Sequence, residues 1–165
     1  MRISSVAGKV LFFGLIFGLT LTWSRFSTAD MVPPSPSPKD KCPVCGMFVA
    51  KYPDWIGVVA FRDGTKDFFD GAKDLFKYYY DLKKYRPKKS RADIESIHVT
   101  EYYDMKSIQA RDAFFVLGSD VFGPMGKELV PFSTLEDAET FLKDHHGTRI
   151  LRFDDIKPAI LETLD

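Results

Sequence analysis

Both cysteines of this 165-residue chain lie in one six-residue stretch, Cys42 to Met47, and this stretch restricts the fold and function more than any other. It reads Cys-Pro-Val-Cys-Gly-Met, so two thiols and one thioether share a tight turn. Thiolate and thioether sulfurs are soft ligands, which prefer Cu(I) and related metals over hard cations. The sequence therefore predicts a soft-metal site here, which the remaining elements support and complete.

The composition is that of a folded domain without a nucleic-acid partner. Hydrophobic residues make up 45% and charged residues 28% of the chain, as in globular proteins. Lys plus Arg and Asp plus Glu are balanced at 23 each, so no basic surface for nucleic acid is expected. The length predicts one ordinary domain with an N-terminal extension.

Residues 1–29 have the pattern of an export signal. Arg2 and Lys9 precede an apolar run over 10–23, and small residues at 27–29 suit cleavage after Ala29. The run is shorter than the ~20 residues that span a bilayer comfortably, although an uncleaved membrane tether through 10–23 is the alternative. No cysteine follows the run closely, so a lipoprotein anchor is not expected. The folded domain is expected outside the cytoplasm.

The domain is predicted over residues 40–165, with halves of about 40–104 and 105–165, after a stiff Pro/Ser-rich linker over 30–39. In the first half, β-branched and aromatic residues indicate strands, Asp63-Gly64 indicates a tight turn, and Asp70 is expected to cap a helix. The predicted elements are strands over 55–61 and 65–69, a helix over 71–85 and a strand over 94–103.

The second half is predicted to repeat the same order of elements. Turns are expected at 118–120 and 123–126, and Ser133 with Glu136 fits a capping box for a helix that ends near His146, with Gly147 after it. The predicted elements are strands over 113–117 and 128–132, a helix over 133–146, a strand over 149–153 and a terminal helix over 154–164. The expected fold class is α+β, with two strand-strand-helix-strand units in one small domain.

The Cys42/Cys45 pair has three interpretations. Backbone N–H groups of the turn are expected to lower the thiol pKa values and favour metal binding. The alternatives are a structural disulfide, the common state of paired cysteines in exported proteins, and a thiol–disulfide redox protein. A zinc ribbon would need a second cysteine pair, and a thioredoxin-like site is disfavoured because the pair precedes a hairpin instead of opening a long helix.

Two methionines favour copper among these interpretations. Met47 follows Cys45 by two residues, and Met125 lies in a Gly-Pro-Met-Gly turn that is expected to expose its side chain. Together with a cysteine they would form a three-coordinate Cu(I) site at the junction of the two halves. The sequence does not decide whether a histidine joins the metal site. His98 fits a position in a strand and His145 and His146 fit a helix end, as well as a metal site. No catalytic arrangement is present, so an enzyme is not expected.

The same residues resemble a known family. Cys42-Pro-Val-Cys45-Gly-Met47, Asp67-Phe-Phe-Asp70, and Gly123-Pro-Met125-Gly followed by Pro131-Phe132 resemble the nitrous oxide reductase accessory protein (NosL) family over about 40–155. The resemblance implies a periplasmic Cu(I)-binding chaperone with sulfur ligands at Cys45 or Cys42, Met47 and Met125. It also implies partners, namely a membrane copper-transfer and maturation complex and a client copper enzyme, nitrous oxide reductase or a relative. Well-known members are lipoproteins, unlike the expectation for this chain.

Overall fold

The computed structural model describes residues 35–165. The predicted signal over 1–29 and the first half of the predicted linker, residues 30–34, lie outside the described residues. Within residues 35–165, no helix is long and apolar enough to cross a bilayer.

The first half begins with the cysteine stretch and continues into a hairpin and a helix. Its strands are β1 (Gly57–Phe61), β2 (Lys66–Phe69), β3 (Ile94–Thr100) and β4 (Ser107–Gln109). Its α-helices are α1 (Ala72–Tyr80) and α2 (Leu82–Tyr85), and short 3-10 helices occupy Val49–Lys51, Pro53–Trp55 and Arg91–Asp93. The predicted turn between β1 and β2 is confirmed, with Gly64 in the left-handed region at φ +82°.

The second half has a longer hairpin and a single amphipathic helix. Its elements are β5 (Phe114–Gly123), β6 (Gly126–Phe132), α3 (Leu135–Asp144), β7 (Arg149–Arg152) and α4 (Pro158–Leu161). Short 3-10 helices follow β7 at Phe153–Asp155 and α4 at Glu162–Leu164.

The two sheets share a three-strand topology, to which the first sheet adds the short strand β4, which was not predicted. The strand order is β2-β1-β3-β4 in the first sheet and β6-β5-β7 in the second, and every pairing is antiparallel. In each half the first strand is central, its hairpin partner lies on one side, and the strand after the helix lies on the other. The predicted α+β fold with two strand-strand-helix-strand units is therefore confirmed.

The helix α1 joins the two halves through one core. The Phe76 ring packs against Phe115 of β5 and Phe153, with ring centroids 5.3 and 4.9 Å apart. The central strand β5 uses both of its faces, because successive side chains alternate. Phe115 faces this shared core, whereas Val116 faces a smaller cluster with Phe132 and Phe141 beneath α3.

The predicted helix over 71–85 is interrupted, and its predicted cap is wrong. The chain leaves helical geometry at Asp81, so α1 and α2 are separate. Gly71 is the N-cap residue and contributes no side-chain hydrogen bond, whereas Asp70 faces the cysteines. The strands are also shorter than predicted, since β1 begins at Gly57 and β3 ends at Thr100.

In the second half the predicted turn at 118–120 is wrong. The strand β5 continues to Gly123 because it pairs with β6 again after a register shift between Leu117 and Phe122. Gly118 takes a φ of +77° in this irregular segment. The turn itself is confined to Pro124 and Met125, between the paired residues Gly123 and Gly126.

The helix α3 is two residues shorter at each end than the predicted helix over 133–146, and its cap positions are shifted by one residue. Thr134, not Ser133, is the N-cap residue, and its hydroxyl accepts a hydrogen bond from the Asp137 N–H. At the other end His146, not Gly147, takes the left-handed conformation at φ +54°, and the Gly147 N–H bonds to the Leu142 carbonyl. Leu135, the first residue of α3, is exposed although it is apolar. The predicted helix over 154–164 is divided into short 3-10 and α segments.

Candidate metal centre

The cysteine stretch forms a closed loop. The Cys42 N–H donates to the Met47 carbonyl at 2.9 Å, and the Gly46 N–H donates to the Cys42 carbonyl at 2.8 Å. Gly46 adopts a φ of +81°, which glycine accepts without steric cost. Just outside the loop, Lys41 and Phe48 form an antiparallel bridge. These bonds hold Met47 beside the cysteines on one rigid turn.

Two carboxylates from the start of α1 face the two thiols. The Cys42 Sγ donates to Asp74 Oδ2 at 3.3 Å, and the Cys45 Sγ donates to Asp70 Oδ1 at 3.2 Å. One ligand atom from each of the four residues lies within 4.8 Å of the others. Both cysteines are free thiols in this structure. The site is therefore a compact group of two sulfurs and two carboxylates.

The sequence interpretation missed Asp74 and gave Asp70 a different role. Residues four apart at a helix start project to the same side, so the Asp70/Asp74 spacing was a usable signal. The spacing could not identify the partner, because that depends on how α1 packs against the cysteine loop. The capping role expected of Asp70 is instead met by Glu128, whose Oε1 accepts the Lys73 N–H at 2.5 Å.

The thiol pKa values are raised, contrary to the expectation from the turn. Burial raises the pKa of Cys45 to about 12, and the N–H of Met47 opposes this while Asp70 adds to it. Burial also raises the pKa of Cys42, against the backbone N–H groups of Cys45 and Val44. The predicted N–H groups are thus present, but the loss of solvent outweighs them.

Access to the two sulfurs differs. Cys42 is 1% exposed and belongs to the core, whereas Cys45 is only partly buried. Met47 is also partly buried, and Met125 is 43% exposed, as its turn predicted. An approaching partner would therefore reach Cys45 before Cys42.

Met125 is connected to the cysteine side through α1. The Lys73 Nζ donates to the Met125 carbonyl at 2.8 Å, and Lys73 immediately precedes Asp74. Burial raises the pKa of Glu128 to about 8, against the opposing N–H groups of Leu129 and Lys73. The two halves are therefore in contact through the backbone of the Met125 turn, and the convergence of the Met125 sulfur on the cysteines stays a prediction.

The histidines have other neighbours. His145 is the C-cap residue of α3, its Nδ1 lies 3.0 Å from Asp120 Oδ1, and its ring stacks on Phe141. The His98 Nε2 lies 3.1 Å from the Gln109 amide. Among the described residues, the group of cysteines and carboxylates contains no histidine.

A family model described as NosL matches residues 33–161, which is most of the chain. The chain belongs to the NosL family. A NosL relative from Stutzerimonas stutzeri, named copper-binding lipoprotein NosL, is 31% identical over 158 residues, covering 94% of this chain and 83% of the relative.

A solved NosL structure resembles the described domain. The crystal structure of the copper chaperone NosL from Shewanella denitrificans has a TM-score of 0.64 and 27% identity, covering 76% of this chain and 96% of that one. The solution structure of the apo-NosL protein from Achromobacter cycloclastes has a TM-score of 0.45 and 26% identity, covering 64% of this chain and 87% of that one. The resemblance inferred from the sequence motifs is confirmed at the level of the NosL family.

Proposed function

We propose that this protein is an extracytoplasmic copper chaperone, which binds Cu(I) through sulfur and passes it to a partner by ligand exchange. The observation that carries the proposal is the pair of free thiols on one closed loop, with Cys45 partly exposed. Relatives named copper-binding lipoprotein and copper chaperone support the same metal.

The proposed ligands are Cys45, Met47 and Met125, with Cys42 as a fourth sulfur or an exchange partner. The accessible position of Cys45 supports it as the main thiolate, because a transferring ion must be reachable from solvent. Thioether ligands favour Cu(I) over Cu(II) and Zn²⁺. A low coordination number would leave one side of the ion open to an incoming sulfur of the partner.

Asp70 and Asp74 are assigned to the surroundings of the ion and not to its ligand set. Carboxylates are hard ligands, which suit Cu(I) poorly. In this structure they accept the S–H hydrogen bonds, and their charges disfavour a thiolate unless a cation replaces the proton. Copper binding must then release thiol protons.

Membership of the NosL family supports a proposal for the partners and the location. We propose that the chain serves a membrane copper-transfer complex and a client copper enzyme, nitrous oxide reductase or a relative. We place it in the periplasm, soluble or tethered through residues 10–23, with residues 1–29 as signal, 30–39 as linker and 40–165 as the copper-binding domain. A role in copper delivery, not catalysis, is proposed.

A thiol–disulfide function is less well supported. The two sulfurs are close enough to make the idea reasonable. However, the thiolate is the nucleophile in disulfide exchange, and burial raises both thiol pKa values instead of lowering them. One buried and one partly buried thiol, each bonded to a carboxylate, are therefore better suited to hold a soft cation than to attack a disulfide.

The test is an anaerobic Cu(I) titration of the full chain in mild detergent against a chromogenic chelator. We expect binding of about one equivalent, which Met125→Ala weakens at least about tenfold, about 1.4 kcal/mol. Met105→Ala is the matched control, since Met105 is 52% exposed and lies in a different loop, between β3 and β4. Failure of the reduced wild-type chain to compete for Cu(I) would overturn the proposal.

A further inference from the structure

Met125 belongs to the second half, whereas the cysteines belong to the first. A site shared between them needs the tip of the β5–β6 hairpin to be held in place relative to α1. Two polar side chains lie between these elements, Lys73 of α1 and Glu128 of β6. Both are buried, although Lys and Glu are rarely buried without a specific partner.

Glu128 acts as the N-terminal cap of α1 from another element. Its Oε1 accepts the Lys73 N–H at 2.5 Å and the Leu129 N–H at 2.8 Å. The first N–H groups of a helix have no partner within the helix, and the N-cap residue Gly71 has no side chain to offer. Because Glu128 satisfies the Lys73 N–H, Asp70 is left to accept from Cys45.

Lys73 makes the reciprocal contact with the hairpin. Its Nζ donates to the Met125 carbonyl at 2.8 Å and to the Leu164 carbonyl at 3.1 Å. A cation that donates to buried carbonyls forms stronger hydrogen bonds than a neutral donor. One residue of α1 therefore binds the hairpin twice, through its backbone to Glu128 and through its side chain to the turn.

Two glycines make this arrangement sterically feasible. A Cβ on Gly71 would lie 2.1 Å from Glu128 Oε2, and a Cβ on Gly123 would lie 3.1 Å from Glu128 Cγ. Neither residue has a left-handed φ, so the close approach of the glutamate is what requires the absence of a side chain. The carboxyl group thus occupies a slot between the helix start and the hairpin.

We propose that Lys73 and Glu128 are positioning residues for the copper site. They hold the Met125 turn against the end of α1 that carries Asp70 and Asp74, so the sulfur from the second half is in place before the ion arrives. This inference rests on the proposed copper function. A ligand on an unanchored hairpin tip would lose conformational entropy on binding, whereas an anchored one has already lost it on folding.

The decisive experiment is a double-mutant cycle on Cu(I) affinity in the full chain. Lys73→Met removes the ammonium group but keeps the backbone N–H, and Glu128→Ala removes the cap. We expect each to weaken Cu(I) binding by about tenfold, as loss of supporting residues commonly does. In the Met125→Ala background neither change should weaken binding further, because residues that act through one another are not additive.

Matched variants separate positioning from general damage. Lys77→Met removes a neighbouring lysine of α1, whose Nζ pairs with Asp165 and has no bond to the turn, and should leave the affinity unchanged. Glu128→Gln keeps an oxygen acceptor for the Lys73 N–H and should restore most of the affinity lost in Glu128→Ala. If Glu128→Ala does not fold, the comparison of Lys73→Met with Lys77→Met carries the test.

A spectroscopic measurement examines the Met125 sulfur directly. With ¹³C-methyl methionine labelling, Cu(I) should shift the methyl signals of Met47 and Met125 in the wild type. In Lys73→Met the Met125 shift should be reduced while the Met47 shift persists. Equal losses of affinity in the wild-type and Met125→Ala backgrounds would overturn the positioning role alone, whereas a wild-type chain that binds no Cu(I) would overturn the proposed function itself.

Discussion

The variant Gly71→Ala adds one methyl group to the slot that the Glu128 carboxyl group occupies. We predict that it lowers the free energy of unfolding by an unusually large amount. Gly71 has an extended φ of 178°, which alanine adopts without backbone strain. Reduced entropy of the unfolded chain would favour alanine by about 0.4–1 kcal/mol, and the weaker N-cap preference of alanine would offset this by a similar amount. Without the carboxyl group in the slot, the substitution would therefore be close to neutral.

The contact with Glu128 makes the substitution destabilising. The new Cβ would lie 2.1 Å from Oε2 and 3.0 Å from Cδ of Glu128, so the side chain must move. Its movement would disturb the bonds from the Lys73 and Leu129 N–H groups, which lie at 2.5 and 2.8 Å. Overpacking costs about 1–3 kcal/mol, and a buried N–H left without a partner costs about 1–3 kcal/mol. We expect a total loss of about 2–6 kcal/mol.

Urea denaturation of the wild type, Gly71→Ala, Glu128→Ala and the double variant measures this loss. The expected result is a strong non-additive coupling, because Glu128→Ala empties the space that the new methyl group needs. In that background, Gly71→Ala should change the free energy of unfolding by less than about 1 kcal/mol. An equal cost in both backgrounds, or no cost in the wild type, would refute the steric argument.

Two further predictions concern pH. Because burial raises the pKa of Cys45 to about 12, Cu(I) must displace a thiol proton at neutral pH, and the apparent Cu(I) affinity should rise about tenfold per pH unit for each thiol that binds. Chelator competition at several pH values measures that slope, and a pH-independent affinity would contradict thiolate ligation. The pKa of Glu128 is raised from 4.5 to about 8, so its protonated form stabilises the fold below 4.5 and this contribution is lost as the pH rises towards 8. The free energy of unfolding should therefore fall more between about pH 5 and pH 8 in the wild type than in Glu128→Gln. The difference is at most about 1.4 kcal/mol per unit of pKa shift. Parallel pH profiles of the two proteins in urea denaturation would contradict this prediction.

The order of elements could be predicted because local patterns determine it. The Asp63-Gly64 turn, the apolar spacing of α1 and the β-branched strands each depend on residues close together in the chain. The family could also be predicted, from short motifs around Cys42, Cys45 and Met125. The donor chemistry of these residue types does not depend on the fold around them. The exposed turn at Met125 was predictable from its flanking glycines.

The errors in element boundaries share a non-local cause. The strand β5 continues through a glycine-containing segment because β6 offers a second set of pairing positions beyond Leu117. The start of α1 does not use Asp70 as its cap because Glu128, 55 residues beyond Lys73, supplies the acceptor. The local propensity of a segment does not depend on a hydrogen-bonding partner that another strand supplies.

The sequence by itself determined the soft sulfur chemistry, the α+β order of elements and the membership of the NosL family. Only the tertiary structure decided the electrostatics of the centre. It placed Asp70 and Asp74 against the thiols and buried Cys42. The pKa values of both thiols are therefore raised, whereas the turn alone predicted that they would be lowered. The reason is that donor types are properties of single residues, whereas desolvation and charge proximity arise only when distant segments pack together.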